Sequence, residues 1–312
     1  MRKTSIGGEA LIEGVMMRGP EHMAIAVRKP DGEIIVEKKP LQTLSKKHKF
    51  FKAPIVRGAI GIFESMVIGL KALMYSAEFV DLEEESDAEP SKVDKFIEKV
   101  FGDKLQDAII YFSVIIALLF GVGIFMLLPN LLASFMKFNK STAGGTILYN
   151  LFEGLIRIVL FLGYMMLISK VNDIQRVFQY HGAEHKTIHC YEHEEELTVE
   201  NVRKYTTRHP RCGTAFLLIV MIMSILIFSF IGWHKVWINI VLRLILIPIV
   251  AGLSYEVIKF AGRSDSKLTK IVSAPGLALQ RFTTLEPDDK QIEVAIAALK
   301  NVLVEDKDAD KW

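Results

Sequence analysis

Three histidines and one glutamate fall within residues 180–189, YHGAEHKTIH, of a chain that has eight histidines in all. If this stretch is a helix, His181, His185 and His189 lie along one stripe, because side chains four residues apart stack on the same face. The order His181-x-x-Glu184-His185 is that of the inverted zinc peptidases, in which two histidines bind Zn²⁺ and the glutamate is the general base. The spacing therefore predicts a zinc site with Glu184 as its catalytic base.

Further ligand types follow within the sequence HPRC at residues 209–212. We expect His181 and His185 to be ligands, with a third from one of four residues: His189, His209, Cys212 and Glu256. Three ligands would leave an open, catalytic position, whereas a closed set of four would make a structural site. One such closed set is His185, His189, His209 and Cys212. Glu184 would then orient a ligand instead.

Without a metal, the same polar residues would hydrogen-bond to lipid headgroups or to neighbouring backbone. The acidic run at residues 192–196 is typical of a solvated turn.

The elements that must position these residues are largely apolar. Hydrophobic residues make up 51% of the 312-residue chain and the mean hydropathy is +0.30, which is too apolar for a soluble domain of this size. Residues 108–136 and 212–233 contain no charged residue over 29 and 22 positions, and about 20 apolar residues cross a bilayer as a helix. Residues 141–169 and 236–258 are nearly as apolar. We therefore predict four transmembrane helices.

Charged residues interrupt two of the predicted spans. Glu153 and Arg157 are one helical turn apart, so they can neutralise each other, either in a functional role or as a pair that only orients packing. Glu256 lies near the cytosolic end of its span, where it either adds a carboxylate ligand or reaches water at the interface. Arg243, nearer the opposite face, is expected to reach water in the same way.

Lysine and arginine are concentrated between the second and third predicted spans. Residues 170–211 carry seven, whereas the two short turns on the other side carry three: Lys137, Lys140 and Lys235. By the positive-inside rule, this loop and both termini face the cytosol. Both cysteines then lie at or near a reducing compartment, which favours free thiols or metal ligands over a disulfide. The start of the chain shows no pattern typical of a cleavable signal peptide.

The segments outside the spans predict a small α+β portion. Residues 23–27 and 34–36 flank Pro-Asp-Gly, which predicts a β-hairpin. Tight turns are predicted at Gly7, Gly8, Gly14 and Gly19. Residues 54–75 are typical of an interfacial or buried amphipathic helix rather than a fifth span. Residues 288–304 predict an amphipathic helix with an acidic start.

The predicted fold class is an α-helical polytopic membrane protein with four transmembrane helices and a small cytosolic α+β portion. The expected segments are, in chain order, an N-terminal cytosolic β-rich segment at 1–53, an interfacial amphipathic helix and charged linker at 54–107, transmembrane helices 1 and 2 at 108–169, a cytosolic His-rich loop at 170–211, transmembrane helices 3 and 4 at 212–258, and a C-terminal cytosolic segment at 259–312.

Five motifs carry a resemblance to a known family: GGEALIEGVMMRGP at 7–20, YHGAEHKTIHCYE at 180–192, HPRCGT at 209–214, GLSYE at 252–256 and TTLEPDD at 283–289. Together they resemble the YqhQ-like family of bacterial multi-pass membrane proteins, a family of unknown function often described as predicted metal-dependent enzymes. The resemblance implies a site in a bacterial inner membrane protein made of His181, Glu184, His185, His209 and Cys212. It also draws attention to Glu13 and Arg18, which could line the same cytosolic face.

Three functions are compatible with this sequence. The first is a Zn²⁺-dependent hydrolase that acts on a membrane-embedded or membrane-tethered peptide or lipid. The second is a non-enzymatic membrane scaffold or assembly partner, with a structural metal or none. The third is an oligomeric transporter that uses Glu153, Arg157 and Arg243. The lipid bilayer is the expected environment in each case, and scattered lysines without a binding motif do not predict nucleic-acid binding.

Overall fold

The computed structural model describes residues 2–41, 49–79, 105–232, 236–263, 266–306 and 308–311. The chain forms two compact units, one made of residues 1–80 and 164–312 and the other of residues 81–163. Most of the charged linker predicted before residue 107 lies outside the described residues. The described part is mostly helical and carries a sheet near the N-terminus.

A four-stranded antiparallel sheet, with its strands in chain order, begins the larger unit. The strands are β1 (Gly7–Leu11), β2 (Gly14–Arg18), β3 (His22–Arg28) and β4 (Ile34–Pro40). The predicted hairpin is confirmed as β3 and β4. Its turn contains Gly32 at a φ of 90°, a conformation that glycine adopts without strain.

Three of the N-terminal glycines lie in strands and not in the predicted turns. Gly7 and Gly8 are in β1, and Gly14 is in β2. A Cβ atom at Gly14 would lie 2.6 Å from the carbonyl oxygen of Ala26 on β3, and one at Gly8 would lie 3.2 Å from Cδ of Glu184. Gly8 and Gly14 therefore allow close packing at the sheet, a use that composition alone does not distinguish from a turn.

Helix α1 (Val56–Ala77) follows the sheet and covers the amphipathic helix predicted at residues 54–75. Its 22 residues also meet the length and composition of a membrane span. Arg57, Glu64 and Lys71 are spaced seven residues apart along it, so they share one flank of the helix.

The smaller unit consists of apolar helices. Helix α2 (Leu105–Val122) continues through a π-helical turn (Gly123–Leu127) into α3 (Leu128–Ser134), and α4 (Ala143–Ile168) follows. These helices contain the candidate membrane spans Phe112–Ser134 and Ala143–Ile168. They match the first two predicted spans.

The predicted ion pair within the second span is present. Arg157 donates a 2.7 Å hydrogen bond to Glu153 one turn earlier on α4. It also donates a 2.9 Å bond to the backbone carbonyl of Phe125. Glu153 is fully buried, and the pair links α4 to the π-helical turn.

Six further helices complete the larger unit: α5 (Asn172–Glu192), α6 (Val199–Arg203), α7 (Gly213–Ser229), α8 (Val236–Arg263), α9 (Lys267–Thr283) and α10 (Asp289–Lys300). Helix α8 covers the fourth predicted span. Helix α7 has 17 residues, about 25 Å of helix, and is shorter than the 22-residue span predicted there. Helix α10 confirms the predicted C-terminal helix, and a capping box between Asp288 and Gln291 starts it.

The two faces of the sheet bury apolar side chains against different helices, as the two-residue period of a strand requires. One face packs with α5 and α10 through side chains that include Val15, Met17, Ala24 and Ala26. The other packs with α1 through Leu11, Met16, Ile25 and Val27. The sheet therefore holds α1 on one side and the histidine-bearing helix α5 on the other.

Four helices in the described part of the chain are long and apolar enough to cross a membrane: Val56–Ala77, Phe112–Ser134, Ala143–Ile168 and Trp237–Gly262. With the N-terminal sheet, they confirm the predicted fold class of a mostly helical, multi-pass membrane protein. These four candidate spans differ from the four predicted ones in one helix. Helix α1 is long and apolar enough to cross a membrane, whereas α7, predicted as the third span, is too short.

Candidate metal centre

Helix α5 carries the predicted residues along one stripe. His181 begins the stripe, and Glu184, His185 and His189 follow it into the interior, where all three are buried. The helix lies against β1 and α10. Gly182 allows this approach, because a Cβ atom there would collide with the carbonyl oxygen of Leu285.

Glu13 attaches the first half of α5 to the sheet. Arg176 donates two hydrogen bonds of 2.5 Å to the Glu13 carboxylate, and the hydroxyl of Tyr180 donates a third of 3.1 Å. Tyr180 is buried and immediately precedes His181, so these bonds fix where the histidine stripe begins. Glu13 lies in the turn between β1 and β2 at a φ of 50°.

Two of the histidines meet Cys212, which lies at the start of α7. One nitrogen of His181, one of His185 and Sγ of Cys212 all lie within 4.8 Å of one another. Nε2 of His181 is 3.2 Å from Sγ, and the two imidazole centroids are 4.4 Å apart. These three residues are called the His-His-Cys group below.

Backbone carbonyls fix the orientation of both imidazoles. Nδ1 of His181 donates to the carbonyl of Thr283 at 2.8 Å, and Nδ1 of His185 donates to that of Thr207 at 2.5 Å. Because a carbonyl oxygen only accepts, each Nδ1 carries a proton, and Nε2 is the nitrogen that can offer a lone pair when the ring is neutral. Burial lowers the pKa of His185 to about 4, so its ring is neutral at pH 7. Metal-bound histidines typically show this arrangement.

Cys212 lies between the polar loop and the apolar helix α7. It is the N-cap of that helix, and its Sγ accepts a hydrogen bond from the N–H of Thr214 at 3.4 Å. Burial opposes ionisation of the Cys212 thiol, whereas its hydrogen bonds with Thr214 favour the thiolate and lower its pKa. Thiolate is the form of cysteine that binds metals. Both cysteines are free thiols, as predicted.

Glu184 stands beside the His-His-Cys group with one oxygen unengaged. It is 4% exposed, and its Oε1 accepts a 3.0 Å hydrogen bond from the N–H of Gly8 on β1. Its Oε2 is buried without a hydrogen-bond partner among the described residues, 3.9 Å from Nε2 of His181. Burial raises the pKa of Glu184 to about 7. An orphaned buried acceptor costs free energy unless a ligand, water or ion satisfies it, so the site suits a metal centre.

His189, Glu192 and His209 form a second group, called the His-Glu-His group, whose donor atoms also lie within 4.8 Å of one another. Glu192 is fully buried, accepts a bond from the guanidinium of Arg211, and accepts another of 2.8 Å from the N–H of Thr4. Nε2 of His209 is 3.4 Å from the Glu192 carboxylate. Burial lowers the pKa of His209 and of His189. Arg211 already supplies a cation here and would repel a metal ion, so this group suits a buried ion-pair network.

The expectation that Glu192 belongs to a solvated acidic turn is wrong. It is the last residue of α5, whereas Glu194 and its neighbours to residue 196 are exposed. The signal that could have revealed it is its spacing, because Glu192 follows His189 by three residues and so continues the buried stripe. Arg211, which entered the prediction only as a positive loop charge, is its partner.

The candidates Glu256 and Arg18 make contacts with α1. Glu256 accepts two hydrogen bonds from Arg57, at 2.7 and 2.5 Å. Arg18 donates a 2.7 Å bond to the hydroxyl of Ser65. Neither belongs to a donor group among the described residues.

The closed four-ligand set considered above does not form a single group in the described part of the chain. His189 and His209 belong to the His-Glu-His group, while His185 and Cys212 belong to the other. Cys190 lies in the apolar core, and burial raises the pKa of its thiol to about 11.

The chain is similar in sequence to a family of proteins and to one bacterial protein. Residues 53–305 match the family described as "Protein of unknown function (DUF1385)". The chain is 36% identical over 300 residues to the "Uncharacterized protein YqhQ" of Bacillus subtilis (strain 168), an alignment that covers 95% of this chain and 92% of that protein. No solved structure matches. The resemblance inferred from the five motifs is confirmed over nearly the whole chain.

Replacing Glu192 tests the buried network. Glu192→Ala removes the carboxylate that Arg211 and Thr4 contact, and breaking a buried ion pair from one side typically costs about 3–5 kcal/mol. We expect a fall of that size in the free energy of unfolding, measured in detergent. Glu196→Ala is the matched control, since that side chain is exposed at the end of the same acidic run. Equal effects of the two changes would contradict the burial of Glu192.

The pKa of Glu184 predicts a pH-dependent stability. The pKa is about 7 in the folded protein against an ordinary value of 4.5, so the folded state binds the proton more tightly. The resulting stabilisation is complete below pH 4.5 and is lost as the pH rises through 7. In chelator-treated protein, the unfolding free energy of the wild type minus that of Glu184→Gln should fall by about 3 kcal/mol between pH 4 and pH 8. A difference independent of pH would show that the carboxyl titrates as in solvent.

Proposed function

This chain belongs to the DUF1385 protein family, whose function is unknown, and we propose that it is a metal-dependent hydrolase at the surface of a bacterial membrane, with zinc as the expected metal. The observation that carries the proposal is the His-His-Cys group with the unengaged Oε2 of Glu184 beside it. Two imidazoles and a thiolate suit Zn²⁺, and three protein ligands leave a position open for chemistry.

In this proposal His181, His185 and Cys212 hold the ion. A zinc ion held there supplies Lewis-acid activation of water and of a substrate carbonyl or phosphoryl group. The carbonyls of Thr207 and Thr283 keep both Nδ1 atoms protonated, so both Nε2 lone pairs stay available to the ion. Fixed ligands of this kind reduce the reorganisation needed on binding.

Glu184 is the proposed general base. Gly8 holds Oε1 through its backbone N–H, which leaves Oε2 to accept a proton from water at the site. A pKa of about 7 suits this task, because a catalytic base works best when its pKa lies near the working pH. The same carboxyl group can then return the proton to the leaving group.

The position of the group supports a substrate that is embedded in the membrane or tethered to it, either a peptide or a lipid. Cys212 directly precedes α7, which is mostly apolar and carries no charged residue, so we infer that the site opens near the membrane surface. The sheet near the N-terminus and α10 near the C-terminus pack in one core with α5, which supports both termini on the side of the site. The lysines and arginines of residues 170–211 support the cytosolic side.

A membrane scaffold is the second candidate, and the His-Glu-His group favours it. That network is buried and joins α5 to the N-terminal residue Thr4 and to the loop that carries Arg211. Such a network can serve folding alone. The two candidates differ in what they expect of Glu184, which a scaffold does not need as a base.

The test compares metal content and hydrolysis in the same variants. By elemental mass spectrometry of protein purified in detergent, wild type and Glu184→Gln should each carry about one metal ion per chain, the stoichiometry of a three-ligand site. His181→Ala should carry little. His193→Ala is the matched control, because His193 is exposed and outside both groups. Wild-type protein without metal, after loading with Zn²⁺, would contradict the proposal.

Hydrolysis is then sought by incubating metal-loaded protein with bacterial membrane extracts and detecting new peptide or lipid fragments by mass spectrometry. Glu184→Gln should slow their formation by about 10²–10⁴-fold, the usual contribution of a general base, while it keeps its metal. Retained metal with no fragments from either protein would favour the scaffold.

A further inference from the structure

Helix α1 has two apolar faces, of which the sheet covers only one. The covered face includes Gly69, Ala72 and Ser76, and Ala72 lies in the core cluster with strand residues such as Met16. The opposite face carries large apolar side chains that are exposed: Phe63, Met66, Val67, Leu70 and Leu73. Their spacing of three and four residues places them on one continuous stripe.

The N-terminal end of α1 contacts the C-terminal half of α8. Ile55 packs on Gly252, and Gly58 packs on the ring of Tyr255. The two pairs advance together, so α1 leaves this contact toward the C-terminal end of α8. Eleven residues of α8 follow Gly252, about 16 Å of helix, whereas the 22 residues of α1 span about 33 Å. The part of α8 that follows Gly252 can therefore flank at most about half of α1.

The level of this contact along α8 is polar. The salt bridge from Arg57 to Glu256 lies there, with N–O distances of 2.7 and 2.5 Å. Lys259 follows one turn later on α8. Charged side chains near the end of a span are typical of the membrane interface, so α1 begins at the interface and not at the far side of the bilayer.

The C-terminal half of α1 lies on the sheet. Ala72, Tyr75 and Phe79 pack on the strands, and Lys39 of β4 lies 5.6 Å from the centre of the Tyr75 ring. The other face of that sheet packs on α5, which carries the two histidines of the His-His-Cys group. Both ends of α1 are thus held on the side of the candidate site.

We propose that α1 does not cross the membrane, but lies in its surface on the side of the site, with the stripe from Phe63 to Leu73 immersed in lipid acyl chains. Helix α1 packs on α8, a candidate membrane span with exposed apolar side chains that include Ile249 and Phe260, so a stripe in lipid would extend the lipid-facing surface of that span. Lys52 before the helix and Lys71 on its flank are exposed and are positioned to reach lipid headgroups.

This placement brings the bilayer close to the candidate base. Gly69 of α1 lies against the carboxylate of Glu9, the residue after Gly8, whose N–H binds Glu184. A single strand therefore separates the membrane-surface helix from Glu184. If the chain is the proposed hydrolase, this closeness favours a lipid or a membrane-embedded peptide as its substrate. Only this statement about the substrate rests on the proposed function.

The sidedness of α1 is tested by cysteine labelling of the full chain in sealed vesicles, with a membrane-impermeant maleimide. Lys52→Cys and Glu78→Cys mark the two ends of α1, Lys300→Cys marks the side of the site, and Trp237→Cys marks the opposite end of the candidate span in α8. Each replaced side chain is exposed, whereas the native Cys190 and Cys212 are buried, so wild-type protein is the blank. We expect Lys52→Cys and Glu78→Cys to react from the same side as Lys300→Cys. Labelling of the two ends from opposite sides would overturn the proposal.

The depth of the stripe is measured with a bimane label on Met66→Cys, near the middle of α1, and quenching by nitroxide lipids. A surface helix predicts stronger quenching by a nitroxide near the headgroup than by one near the chain terminus. Strongest quenching by the deepest nitroxide would indicate a spanning helix, and no quenching by either would place the stripe outside lipid; both results overturn the proposal. None of these readouts depends on metal or activity, so they are independent of the hydrolase assignment.

Discussion

The burial of the polar stripe on α5 is the constraint on which the rest of the larger unit depends. Glu184, His185, His189 and Glu192 leave water when the chain folds, and buried polar groups cost free energy unless each finds a partner. Their partners come from distant parts of the chain: the N–H groups of Thr4 and Gly8, the carbonyls of Thr207 and Arg208, and the guanidinium of Arg211. The N-terminal strand and the loop after α6 must therefore meet α5 together.

The two donor groups differ in whether the protein supplies a partner for every buried polar atom. In the His-Glu-His group, Arg211 supplies the positive charge that Glu192 requires, and the network is complete without an added ion. The His-His-Cys group has no guanidinium among its contacts in the described residues, Nε2 of His181 lies 3.2 Å from the Cys212 sulfur, and Oε2 of Glu184 lacks a hydrogen-bond partner there. A divalent cation would supply the charge that the protein provides in the neighbouring group.

The sequence predicts the centre of the site better than its surroundings, for physical reasons. The spacing of His181, Glu184 and His185 expresses helical periodicity, which local sequence encodes. Cys212 was one of several candidates for the third ligand, since only tertiary packing decides which reaches His181. The carbonyls of Thr207 and Thr283 could not be predicted, because every residue has one. Glu256 was predicted either to be a ligand or to reach water at the interface, and its partner Arg57 could not be predicted because it lies 199 residues away in sequence.

The direct test of the central claim, that His181, His185 and Cys212 hold one metal ion, is the absorption spectrum of chelator-stripped, full-length protein in detergent after loading with Co²⁺. The account predicts intense visible bands of four-coordinate cobalt, together with a thiolate-to-cobalt charge-transfer band in the near ultraviolet. That charge-transfer band should disappear in Cys212→Ser and persist in Cys190→Ser, whose side chain lies in the apolar core. A cobalt spectrum without the thiolate band, or one unchanged in Cys212→Ser, would contradict it.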